Sequence, residues 1–213
     1  MSAPAGATRS AEEKRELRRR LVDALVFAIE EKGTAGGGYS AVTVADVVRH
    51  AQMSKRSFYE FFRDKDDCLL AAYRGLSEVT IRGIESAFVH SEPDPDTGWV
   101  ARIHAAANAY VSTLARSPLL TRTFLLEIHA AGAPGLEVRR AVHLRFATLL
   151  ERLVELARKE NPAIEPLSRP MAIAMVGGIN ELVLVRLESH RDAKLAGVAD
   201  AVTEFVRRVV VLP

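Results

Sequence analysis

A chain of 213 residues with 48% apolar and 26% charged side chains has enough material for one large domain or two modest ones, and its composition excludes a disordered tail or a collagen-like fibre. Its 29 basic and 27 acidic residues leave a charge of +2, far below that of a protein living by non-specific nucleic-acid binding. One cysteine and six scattered histidines give no disulfide and no metal cluster, and no run approaches the ~18 apolar residues of a membrane span, so a cytoplasmic chain with no membrane partner is expected.

The elements follow in order. Ser10-x-x-Glu13 is a capping box that opens a helix to Lys32, with Leu17, Leu21, Ala24, Leu25, Ala28 and Ile29 as its buried stripe. Gly33 is expected to end it in a left-handed cap, and Gly36-Gly37-Gly38 reads as a flexible connector, because no Gly-Lys-Ser/Thr follows to make a phosphate cradle. Thr43-x-x-Asp46 caps a second helix carrying Val44, Val47, Val48 and Ala51 at helical spacing. After Gln52 and Met53, Ser54 caps a third, over 55–62, with Phe58, Phe61 and Phe62 as its anchors. Asp64-x-x-Asp67 opens a fourth that ends near Val89. The charge excess lies here: residues 1–75 hold 13 basic and 11 acidic side chains, the rest 16 of each. The run Arg18-Arg19-Arg20 reads as a solvated helix face, with a phosphate-contacting flank as the sharper reading.

Two short capped helices joined by a tight turn form a helix-turn-helix over about 43–62. The polar first turn of its second helix, Lys55, Arg56 and Ser57 behind the Ser54 cap, is where such a helix meets base edges in a major groove. Thr43 and Lys65, at the two flanking helix starts, can bracket the same duplex through phosphates, while the Tyr59 ring is expected to pack with its hydroxyl on a backbone oxygen.

At these residues the sequence resembles the TetR family of one-component bacterial regulators, most specifically in the spacing Ser54-x-x-Ser57-Phe58-Tyr59-x-x-Phe62-x-Asp64-Lys65-Asp66. The resemblance implies an all-α fold of about nine helices. A three-helix DNA-binding head (10–75) would be joined by a fourth helix to a helical effector-binding and dimerisation body (76–213). It implies phosphate contacts from Thr43, Tyr59 and Lys65 and base contacts from Lys55, Arg56 and Ser57. Gln52 stands where the family usually has glycine and Val48 where it usually has alanine; if the turn needs positive φ, Gln52 costs about 1 kcal/mol.

Beyond a linker at Pro93 and Pro95 the pattern stays helical, over 99–115, 118–131, 136–160, 167–190 and 196–211, with no period-two alternation to suggest a sheet. Polar residues set in apolar helix faces are the effector-pocket candidates: His104 with Asn108 first, near Trp99, then Phe124, Glu127, His143 and Asn180, each also readable as a satisfied core side chain. Gly177 and Gly178 interrupt the most apolar stretch, either to admit another helix or to leave room for a ligand. With Val202, Phe205 and Val209 they form the homodimer interface that the resemblance implies for the last two helices. Cys68 reads as a packed thiol. No nucleophile–base–orienter set or Glu-x-x-His pair appears, so no catalytic residues, cofactor or metal are expected. The functional expectation is a repressor released from a palindromic double-stranded DNA operator by a small-molecule effector. The competing readings are a helical carrier or enzyme with a vestigial helix-turn-helix, and a DNA-binding protein without an effector.

Overall fold

The computed structural model describes residues 10–34, 36–91, 98–189, 195 and 197–211. The linker at Pro93 and Pro95 and the expected end and start of the last two helices at 190 and 196 lie outside them. Among the described residues there are nine α-helices and two short 3₁₀ segments and no strand. The chain divides into two compact units, one up to Ala72 and one from Tyr73.

In the first unit, α1 (Ala11–Thr34) opens on the expected box: the Ser10 amide donates to Glu13 Oε2 (2.7 Å) and the Glu13 amide to Ser10 Oγ (3.1 Å). Its buried stripe is Leu21, Ala24, Leu25, Ala28 and Ile29, and the helix runs through Gly33 instead of stopping there. The left-handed turn falls later, at Gly36 (φ +84°). The glycine connector is more ordered in its contacts than a flexible linker. It feeds a 3₁₀ turn, Tyr39–Ala41, against which any Cβ on Gly37 would lie 2.6 Å from the Ala41 methyl.

Next come α2 (Val44–Ala51), α3 (Lys55–Tyr59) and α4 (Lys65–His90). The third helix is shorter than its apolar pattern suggests, so Phe61 and Phe62 fall in the turn after it. Phe58 and Phe62 are still buried, with ring centroids 5.6 Å apart, whereas Phe61 is half-buried. Helix α4 is covalently continuous across the boundary between the units.

The second unit holds the rest of α4 with α5 (Trp99–Ala115), α6 (Pro118–Leu126), α7 (Gly132–Glu160), α8 (Arg169–Ser189) and α9 (Val198–Val210). Pro118 sits in the first turn of α6, where its missing N–H is harmless, and Ser117 caps it by accepting from the Leu120 amide (3.2 Å). The helix expected over 118–131 changes to 3₁₀ geometry at Glu127–Ala131, and α7 begins a turn earlier than expected. The core joins Phe88 of α4, Trp99 and Ile103 of α5, Leu149 and Leu153 of α7, Met175 and Val183 of α8, and Val202 and Val206 of α9.

By length and mean hydropathy (1.5), Arg169–Glu188 reaches membrane-span dimensions, which the sequence reading did not expect. Asn180, Glu181 and Arg186 interrupt it, and one side packs into the body through Ala172, Met175, Val176, Ile179 and Val183. Met171 and Ile173 are exposed on it.

Candidate nucleic-acid interface and body cavity

The scaffold of the interface is built by caps. Thr43 and Asp46 close a reciprocal box: the Asp46 amide donates to Thr43 Oγ1 (3.2 Å), and the Thr43 amide and hydroxyl donate to Asp46 Oδ2 (2.9 and 2.7 Å). Those bonds, with Lys32 3.5 Å away, hold the Asp46 carboxyl down to about 2, against its ordinary 3.8. The Thr43 hydroxyl proton is thereby committed, and the groups left for a phosphate at this helix start are the first-turn amides, which lack intrahelical acceptors.

Helix α2 ends in a Schellman-type turn. Gln52 adopts φ 52°, ψ 45°, and the Met53 amide donates to the Val48 carbonyl (2.9 Å). Gln52 is the one non-glycine residue with positive φ among the described residues. Ser54 then caps α3, accepting from the Ser57 amide (3.0 Å), with the two hydroxyls 3.0 Å apart. This places Lys55 and Arg56 outside, both exposed. Tyr59 is 57% exposed, and its ring meets only the edge of Phe58 (5.5 Å). The expected hydroxyl-to-backbone bond is not formed, so the phenol faces solvent, where a phosphate can meet it.

Lys65 departs from the expectation that it contacts phosphate. Its ammonium donates to the carbonyls of Tyr39 (3.3 Å), Ser40 (3.4 Å) and Val42 (2.9 Å) and lies over the Tyr39 ring, 4.6 Å from the centroid. Tyr39 is itself buried and donates its hydroxyl to Asp66; burial, then that bond, pushes its phenol above the ordinary range. Lys65 and Asp66 together clamp the glycine loop to the start of α4. The arginine run resolves in the same way. Arg18 stacks on Phe62 (4.9 Å), and Arg19 pairs with Glu16 (2.7 Å) and Asp23 (3.6 Å). Cys68 is buried, its thiol pushed up to about 12 by that burial and pointing at the Leu21 carbonyl (3.9 Å), as a packed and protonated side chain would be.

The body contains an apolar cavity. Trp99 and Phe88 stand at one part of its wall and Tyr110, Phe146 and Asn180 at another, with aliphatic side chains of α5, α7, α8 and α9 between. The cavity volume is about 80 Å³, below the roughly 300–1,000 Å³ of drug-sized sites, so a ligand of that size would have to part the lining side chains. A second, smaller void adjoins it, sharing Tyr110, Phe146 and Asn180 and lined also by Tyr73, Phe124 and His143. At the shared wall the Tyr110 hydroxyl donates to Asn180 Oδ1 (2.9 Å), and Asn180 Nδ2 lies 3.3 Å from His143 Nε2. Burial pushes the His143 imidazole down to about 4, so it is neutral at physiological pH.

Of the expected pocket residues, the structure brings Trp99, Phe124, His143 and Asn180 to these two voids. His104 and Asn108 line neither. They are hydrogen-bonded to each other (3.0 Å), and His104 Nε2 meets Asp200 Oδ1 (3.0 Å), tying α5 to α9 at the surface. Glu127 starts the 3₁₀ segment and lines neither void. Tyr110 and Phe146, aromatics set at helical spacing, stand at the shared wall of both voids. Of the expected interface residues, Val202 is buried and lines the cavity, so it faces inward. Phe205 packs on Gly178 of the same chain, where an added Cβ would lie 3.2 Å from the ring, and Val209 is part-buried against the body core. Gly177 alone of the pair faces open space.

Two short capped helices, a left-handed turn between them and a basic, exposed first turn on the second define a helix-turn-helix DNA-binding head. Residues 34–72 match the bacterial regulatory proteins of the tetR family. The transcriptional regulator AqdR of Rhodococcus erythropolis is 22% identical over 171 residues, which are 80% of this chain and 75% of that one. In fold, the chain is similar to the fatty acid degradation regulator FadR of Bacillus halodurans (TM-score 0.73, 16% identity, 94% of this chain and 96% of that one). It is likewise similar to FadR of Bacillus subtilis, solved with stearoyl-CoA (TM-score 0.72, 17% identity, 90% and 98%). Over residues 34–72 the chain carries the DNA-binding region of the tetR family of bacterial regulatory proteins, and the matches together support a DNA-binding transcriptional regulator.

Proposed function

We propose that this regulator is a homodimeric repressor of the bacterial cytoplasm, released from a near-palindromic operator by a small apolar effector. The observation that carries the reading is the coexistence in one chain of an exposed basic recognition turn and a separate apolar cavity. The Bacillus subtilis relative, solved with a ligand that carries a long apolar chain, supports an effector role for that cavity. Helix α4 supplies Phe88 to the cavity wall and begins beside the recognition helix, so it is the covalent route by which occupancy would reach the head. The effector must bind the released state more tightly for this to work.

A second copy of the chain would cover the outer side of α8, where Ile173 (40% exposed) and Gly177 lie one turn apart, with Met171 (47% exposed) on the other flank. Paired heads would then read half-sites roughly 34–36 Å apart. The test is selection of bound DNA from a random pool, then anisotropy at fixed salt with and without effector. Two protomers should bind each selected site. Arg56→Ala should relax base preference at one position by about 1–3 kcal/mol, while Tyr59→Phe weakens all sites alike. Equal losses for both variants on selected and random DNA would overturn the base-reading role of Arg56.

A further inference from the structure

We infer that the effector is an uncharged molecule, an apolar chain or ring system carrying one neutral carbonyl or hydroxyl group, which is anchored by the Tyr110–Asn180–His143 relay at the wall between the two voids. This inference rests on the ligand-gated reading above and specifies it.

The argument is one of charge and hydrogen-bond capacity. Among the described residues, neither void has a lysine, arginine, aspartate or glutamate in its lining. Arg102 lies over the Phe88 ring, 5.9 Å from the centroid, but it is paired with Glu160 and is not a lining residue. The one ionisable imidazole, His143, is held neutral by burial. A carboxylate or phosphate placed here would lose its water without gaining a countercharge, which is the costliest way to bury a ligand group.

The relay nevertheless leaves hydrogen-bonding capacity unused. Tyr110 spends its proton on Asn180 Oδ1 and keeps lone pairs on its oxygen. Asn180 directs one amide hydrogen to His143 and has a second to give. Of the other hydroxyls that line the smaller void, Ser77 is bonded to the Arg74 carbonyl, Thr80 to Leu76 and Thr121 to Leu114, and the Tyr73 phenol adds a further neutral hydroxyl. Among the described residues, the polar capacity left in this largely hydrocarbon site is therefore neutral, on Tyr110, Asn180, His143 and Tyr73. That is the complement of a ketone or alcohol on an apolar body.

Trp99, the single tryptophan of the chain, lines the larger void and reports its occupancy by fluorescence. The experiment titrates the full-length dimer with four probes of one chain length: octyl methyl ketone, decanol, decanoate and decanoyl-CoA. Calorimetry runs alongside the fluorescence, and anisotropy of bound operator DNA is read in the same samples. The ketone and alcohol should perturb Trp99 and bind at least about tenfold more tightly than the two anions. Tyr110→Phe, which keeps the ring, should cost the neutral probes about five- to tenfold and leave the anions unchanged.

Tighter binding of decanoate or decanoyl-CoA with release of DNA overturns the neutral-ligand inference and leaves the ligand-gated repressor standing. Binding of the neutral probes with no release of DNA overturns the repressor reading instead. Silence of all four probes in both fluorescence and calorimetry overturns the inference. Should Tyr110→Phe fail to fold, the neutral-over-anion ratio in the unaltered protein still decides the matter, and Asn180→Leu gives the second test of the relay.

Discussion

The head and the body are made of the same material, capped helices with apolar stripes, and use it in opposite ways. In the head, the proposed DNA contacts lie on side chains that packing leaves outside. Lys55, Arg56 and Tyr59 are exposed on a support whose anchors, Phe58 and Phe62, are 0% and 2% exposed. In the body, the proposed effector site lies in space that packing leaves empty, bounded by side chains from five helices. An outward-facing site tolerates change in what it displays and none in what supports it. An inward-facing site is part of the core, and its lining residues already border a void.

Truncating an aromatic in each unit gives the harshest test of that contrast. Phe58→Ala removes a fully buried ring and should cost about 3–5 kcal/mol, abolishing DNA binding without touching a contact residue. Phe146→Ala enlarges a cavity that exists already, at a ring that is only part-buried, and should cost clearly less. Urea denaturation midpoints measure both. Equal costs would mean that the body void closes up and that its walls are ordinary core.

The next test concerns Lys65, where position in the motif and position in the structure disagree. With its ammonium spent on three carbonyls of the loop over 39–42, Lys65→Met should lower stability by about 1.5–3 kcal/mol. The slope of DNA affinity against salt should stay as it was. A phosphate contact predicts the reverse pattern: unchanged stability and a slope reduced by about one.

What was legible in the sequence follows the same division. The head's caps are local, because a Ser or Thr and its partner three residues on decide a helix start without help from the rest of the fold. Ser10 with Glu13, Thr43 with Asp46, and Ser54 before Lys55 were therefore readable in place. The Lys65 clamp was not, since its acceptors are backbone carbonyls 23 to 26 residues away and carry no residue type. In the body, His104 and Asn108 looked like a pocket pair because they are polar, one turn apart and set among alanines. Which side of α5 faces the cavity depends on where α9 lies, and Asp200 of α9 draws the pair to the surface. Val202 was misread for the related reason that an apolar stripe does not say whether its own chain or a second one covers it. Asn180 and His143 were readable as polar breaks in apolar runs, but the bonds of Asn180 to Tyr110 and to His143 span 70 and 37 residues and exist only in the folded body.

The smallest expected effect tests how far the head depends on backbone and how far on side chains. Gln52 holds a left-handed conformation (φ 52°) that costs an L-residue roughly 1–2 kcal/mol, and its exposed side chain has no buried contact to lose. Gln52→Gly removes that strain but frees the unfolded chain by about 0.4–1 kcal/mol, so the net gain should be about 0.5–1 kcal/mol. For a chain of this size that is a rise in melting temperature of about 1–4 °C. DNA affinity should not change, because the turn already has the hand that glycine would adopt freely. Gln52→Val, with a branched Cβ in the same conformation, should lower both melting temperature and affinity. If glycine instead weakens DNA binding while raising stability, the Gln52 side chain contributes to the interface. The turn would then belong with the display residues of the head, not with their support.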